Sequence, residues 1–180
     1  MEILQNFWNL MTTPNERMVY LLVLPFYFIE VYISFKLFTT LLDIKYTKKQ
    51  LYIYLLFLSI TGIISKITLP ISASSTLNMI IWFLDIFIVL KPGFVKSIFA
   101  EFVTIFCSYI IEFTIISLFV NIFKINYELT LSIPIYRLLS IILIYILIFS
   151  LYKFIEKKNL HIYLPDSLHT NKNFILMVNL

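Results

Sequence analysis

The chain has 180 residues, of which 61% are hydrophobic and 13% charged. Soluble domains average about 45–50% and about 25% for these classes, so a water-soluble core of this size could not hide the apolar surface. The net charge of +4 is carried mainly at the ends of apolar runs and in short loops. That placement sets membrane orientation and argues against a nucleic-acid-binding face.

The chain opens with a short amphipathic segment. Ile3, Leu4, Phe7, Trp8 and Met11 recur at helical spacing on one face, which predicts a helix over residues 3–11. There is neither the basic n-region nor the small-residue cleavage site of a signal peptide. Trp8 suits a membrane–water interface, so the segment is expected to lie on the bilayer surface. Thr13, Pro14, Asn15 and Glu16 then read as a helix start: a capping residue, an early proline and an acid in the first turn.

Five nearly continuous apolar runs follow, at about residues 18–40, 51–69, 73–90, 98–123 and 135–152. Crossing the hydrocarbon core takes about 20 apolar residues in a helix. The runs are unbroken, whereas barrel strands alternate. The expected fold is therefore all-α, a polytopic transmembrane helical bundle. It has five full spans, a partial sixth beginning at Asn173, and the N-terminal interfacial helix. The expected organisation is an interfacial helix at 1–16, a transmembrane bundle at 17–152, a cytoplasmic linker at 153–172 and the start of a truncated span at 173–180. Residues 45–50, 91–96 and 124–134 are connectors.

The basic residues divide unevenly between the two sides. Lys36, Lys45, Lys48, Lys49, Lys91, Lys96, Lys153, Lys157, Lys158 and Lys172 fall on one side, and Arg17, Lys66, Lys124 and Arg137 on the other. By the positive-inside rule the lysine-rich side is cytoplasmic and the N-terminus outside. The abundance of Ile, Phe, Tyr, Asn and Lys, whose codons are AT-rich, points to a low-GC bacterium and its cell membrane.

Ionisable residues within spans are costly and need a reason. Glu30 lies mid-span in the first run, with Tyr20, Tyr27 and Ser34 near the same face. Ser59, Gly62 and Lys66 share a face of the second, and Asp85 lies near the inner end of the third. In the fourth, Glu101 and Glu112 are close to three turns apart, about 16 Å along the axis, and point the same way. Arg137 opens the fifth on the outer side. These stripes are expected to face the bundle interior, as interhelical hydrogen bonds and ion pairs or as an outward-facing ligand pocket or latch built from Glu30, Glu112 and Arg137. Arg137 could meet an anionic ligand group or a carboxylate such as Glu112, or could serve as a headgroup anchor; Lys66 can snorkel.

No catalytic residue, metal site or cofactor site is expected. Two glycines, Gly62 and Gly93, cannot build a glycine-rich phosphate loop. The Ser150–Lys153 spacing matches Ser-x-x-Lys, but its companion motifs are absent. Cys107 lies deep in a span, whereas His161 and His169 follow the fifth, so no Cys/His pair is expected. The histidine spacing is not that of a usual metal site.

One stretch resembles a known family. Residues 111–158 read IEFTIISLFVNIF, a loop, then IPIYRLLSIILIYILIFSLYKFIEKK. Glu112, the Pro134-Ile135-Tyr136-Arg137 start of the next run and the basic exit are similar to the N-terminal membrane sensor domain of AgrC-like, GHKL-type sensor histidine kinases. The wider layout of several spans with short loops resembles it too. The resemblance implies an extracellular peptide or small ligand, contact with membrane lipid, and a homodimer formed through a kinase domain that these residues do not contain. It implies neither enzymatic activity in this segment nor a nucleic-acid partner. A small-molecule transport subunit and a membrane peptidase that processes signal peptides are the alternative readings.

The charge asymmetry predicts that cysteines replacing Lys48 or Lys157 are shielded from an impermeant thiol reagent in intact cells, in a Cys107→Ser background. A cysteine replacing Lys124 should be labelled. External labelling at both Lys48→Cys and Lys157→Cys would overturn this orientation.

Overall fold

The structure is a computed structural model, and it describes residues 2–124, 126–162 and 164. Seven α-helices occur among these: α1 (Glu2–Thr12), α2 (Glu16–Leu41), α3 (Lys48–Thr68), α4 (Ile71–Asp85), α5 (Phe94–Phe123), α6 (Tyr127–Ser132) and α7 (Pro134–Lys158). A π-helical segment, Ile86–Leu90, continues α4. There is no strand among the described residues. Five segments, Arg17–Leu41, Lys48–Thr68, Ala73–Leu90, Phe94–Ile122 and Pro134–Lys158, are long and apolar enough to cross a membrane. Only 28–33% of each apolar window is buried within the protein, which leaves most of it exposed, as expected of helices long enough to cross a bilayer. The expected partial span at 173–180, His169 and most of the 153–172 linker lie outside the described residues.

The helix boundaries have local causes. Asn15 Oδ1 accepts the Met18 N–H at 3.1 Å and so caps α2. The α3 start is a capping box: Thr47 Oγ1 accepts the Gln50 N–H at 3.2 Å, while Gln50 Oε1 accepts the Thr47 N–H at 2.8 Å. Four helical segments end in a residue with left-handed backbone, at Asp43, Lys91, Lys124 and Asn159. In a chain with two glycines, aspartate, asparagine and lysine take the position that glycine usually fills.

The structure differs from the sequence expectation in three places. The 124–134 connector contains α6, whose cap Asn126 Oδ1 accepts the Glu128 N–H at 3.4 Å. Glu128 adds a negative charge at the positive end of this short helix. The third span ends in a π-helix, which its apolar sequence does not announce. The fifth extends past residue 152 to Lys158, because the charged exit stays helical.

The chain divides into two compact units. The first holds Met1–Leu37 and Ile105–Phe154, with Tyr27, Val31, Phe35, Ile116, Ile144 and Ile148 among its buried side chains. Within it the Asn15 N–H donates to Ser132 O at 2.9 Å, tying the start of α2 to the end of α6. The second holds Phe38–Thr104 and the chain from Ile155 onward. There α3 and α4 pack side by side, with Gln50 Nε2 donating to Val89 O at 2.8 Å at one end. At the other end Ser65 Oγ bonds Asn78 Oδ1 at 2.8 Å. The segment after α7 returns to α2: the Ile162 N–H donates to Leu41 O at 2.8 Å and His161 Nδ1 lies 2.8 Å from Thr40 O.

Gln50 serves the capping box and the α3–α4 bond together. Gln50→Leu is predicted to lower thermal stability in detergent by about 1–2 kcal/mol, the cost of one cap and one interhelical hydrogen bond. An unchanged midpoint would show that neither bond contributes.

Candidate functional site

All three residues singled out in the sequence lie in the first unit. Glu112 is carried by α5 and Arg137 by the first turn of α7. Arg137 Nη1 donates to Glu112 Oε1 at 2.8 Å, and the two side chains are 23% and 34% exposed, respectively. The pair is therefore partly withdrawn from its surroundings, where its Coulomb attraction counts for more than at a water-exposed surface. A charge-assisted bond of this length is among the stronger polar contacts a protein makes. Ser140 Oγ donates to Arg137 O at 2.8 Å and so satisfies a backbone carbonyl in the first turns of α7.

Glu30 does not join that ion pair. Its Oε2 accepts from Tyr145 Oη at 3.2 Å, linking α2 to α7. Tyr145 is 9% exposed. Along α7, Tyr145 follows Arg137 by about two turns, roughly 12 Å. α7 thus engages carboxylates from two other helices. Sequence reasoning overlooked Tyr145. The sequence signal was weak, because a step of eight residues leaves Tyr145 about 80° round the helix from Arg137.

Of the polar stripe expected on the first run, Tyr27 and Ser34 are buried, at 3% and 1% exposed. On α5, Phe113 is 71% exposed whereas Glu112 is only partly so. This contrast separates an exposed apolar side of the helix from its polar side. Glu101 lies on the α5 segment of the second unit and Glu112 on that of the first; only the latter is in the ion pair with Arg137.

Ser59, Gly62 and Ser65 are buried on α3. Cys107 is a half-buried free thiol on α5. His161 is engaged near Thr40. No group of three or more His, Cys, Asp or Glu side chains that could hold a metal occurs among the described residues.

No family model, curated protein or solved structure matches this chain.

Removing the Glu112 carboxylate leaves the Arg137 guanidinium without this partner, whereas trimming Phe113 changes a surface already exposed. Glu112→Leu is predicted to destabilise the protein by about 2 kcal/mol and Phe113→Leu by less than about 0.5 kcal/mol. Equal, negligible effects in a thermal unfolding assay would place Glu112 on a lipid-exposed or snorkelling surface.

Proposed function

We propose that this chain is the membrane sensor domain of a two-component histidine kinase, detecting an extracellular signal and passing it to a kinase domain outside these residues. The supporting observation is the polar network on α7: Arg137 bonded to Glu112 of α5 and Tyr145 bonded to Glu30 of α2. Glu112, Arg137 and Tyr145 of this network lie in the 111–158 stretch that resembles the AgrC-like receptors, whereas Glu30 lies outside it, and α7 is the helix leading to the basic exit.

A sensor needs two arrangements of its helices and a ligand that binds one better than the other. Interhelical ion pairs are suited to such a switch, because an anionic ligand group can compete with Glu112 for the Arg137 fork. In this reading Arg137 lies at the outer mouth and the N-terminus is outside. The five apolar helices span a bacterial cell membrane, and α1 rests in the outer interface. Leu4, Phe7 and Trp8 are 74%, 52% and 59% exposed on α1, a surface fitted to lipid headgroups and upper acyl chains. The ligand is a peptide or small molecule. The kinase partner supplies dimerisation, and neither a cofactor nor a nucleic acid takes part.

The test is a chimera joining this bundle to a reporter kinase. Arg137→Gln and Glu112→Gln should each shift basal kinase output by about 5-fold or more, the size of a typical coupling energy, while impermeant-reagent labelling shows unchanged insertion. Basal output and response to fractionated culture medium that both match the unsubstituted chimera would refute the latch.

A further inference from the structure

The second unit holds a buried charged residue that the proposed latch does not use. Asp85 is 3% exposed, and its Oδ2 has no hydrogen-bond partner among the described residues. Trp82 Nε1, one turn earlier on α4, is likewise buried without a hydrogen-bond partner among the described residues. Buried polar groups are bonded in the great majority of cases, and the exceptions point to a function, a water or an ion.

The interhelical bonds fix where these groups lie. At one end of the α3–α4 seam Gln50 Nε2 donates to Val89 O at 2.8 Å. At the other, Ser65 Oγ bonds Asn78 Oδ1 at 2.8 Å, and Ser74 Oγ donates to Ser65 Oγ at 3.2 Å. On α4, Ser74, Asn78, Trp82 and Asp85 recur at steps of four, four and three, so they share the face turned to α3. Counting inward from the Gln50–Val89 bond, Tyr54 lies four residues after Gln50 on α3 and Asp85 four residues before Val89. The face α3 presents there carries Gln50, Tyr54 and Leu58 and no charged side chain. Both ends of the seam are bonded, and Asp85 and Trp82 lie between them.

Two features of the backbone favour a positive charge beside Asp85. The π-helix begins at the next residue, Ile86. Such segments shift carbonyls out of the regular α ladder and occur often at functional sites. Asp85 also precedes the helix end at Leu90 by little more than a turn, and the C-terminal end of a helix carries the negative pole of its dipole. Irregular backbone carbonyls and helix C-termini are the groups that hold small cations in other membrane helices.

We propose that Asp85 is the anionic ligand of a monovalent metal-cation site in the α3–α4 seam. The carboxylate supplies one negative charge, and carbonyls at the α-to-π junction supply neutral oxygens. Trp82 Nε1–H donates to a water in the cation's shell. A single carboxylate neutralises a monovalent ion, whereas a divalent ion would keep a net charge in an apolar setting. The cation, by removing the cost of a lone buried carboxylate, would fasten α3 to α4.

The experiment uses the full chain in detergent micelles, with sodium chloride replacing choline chloride at constant ionic strength. The unsubstituted protein should show a saturable rise in unfolding temperature of about 5 °C, the scale expected for a ligand well above its dissociation constant. Asp85→Asn should lose that rise. Because Asp85→Asn could fail to fold, bound radioactive sodium is also counted on the unsubstituted chain, with about one ion per chain expected. Sodium-independent unfolding with no retained sodium would overturn the proposal, as would a full sodium response in folded Asp85→Asn. A response to pH alone, with sodium, potassium and lithium all inert, would overturn it in favour of a proton.

Discussion

A charge carried into an apolar helix has to find its partner inside the protein, and the first unit is organised around that requirement. Arg137 and Glu112 meet at 2.8 Å across α7 and α5. Either group left alone at such a position would cost about 2 kcal/mol. Their pairing therefore restricts how α5 and α7 can be rotated about their own axes. Tyr145 and Glu30 add a second restriction, between α7 and α2. The apolar side chains around them, among them Ile116, Ile144 and Ile148, fill space but are less selective about register.

The second unit meets the same requirement with mostly neutral groups. Gln50, Ser65, Ser74 and Asn78 bond across the α3–α4 seam without a counter-ion. Small hydroxyl and amide side chains suit this, since they let helices approach closely and bond without moving a full charge out of water. Asp85 is the exception in that seam, which is why it stands out among the polar side chains of the unit.

The sequence made the helices legible and the pairings only partly so. Uninterrupted apolar runs marked the span-length helices to within a few residues, because length and hydropathy are set by the bilayer rather than by tertiary contacts. The spacing of Ile3, Leu4, Phe7 and Trp8 in α1 was equally readable, since it depends on neighbours in sequence; the α2 start was read two residues early, with Thr13 as cap and Pro14 in the first turn, whereas the cap is Asn15. Glu112 was among the partners open to Arg137. Glu30 was grouped with them, yet it bonds Tyr145; a pairing between helices depends on rotation and depth, which a single span's sequence does not encode. α6 was missed although Asn126 and Glu128 are a cap and a first-turn acid. The π-helix at Ile86–Leu90 had no residue-level signal, since Ile, Phe, Val and Leu suit an α-helix in the same setting.

The measurement that bears most directly on this account is a double-mutant cycle on Glu112 and Arg137, read as unfolding free energy of the full chain in detergent. If the pair holds α5 against α7, Glu112→Gln and Arg137→Gln together should cost less than the sum of the two alone, with a coupling of about 1–3 kcal/mol. Additive effects, with a coupling indistinguishable from zero, would mean that the two side chains do not act on each other and that the first unit is held by apolar packing alone.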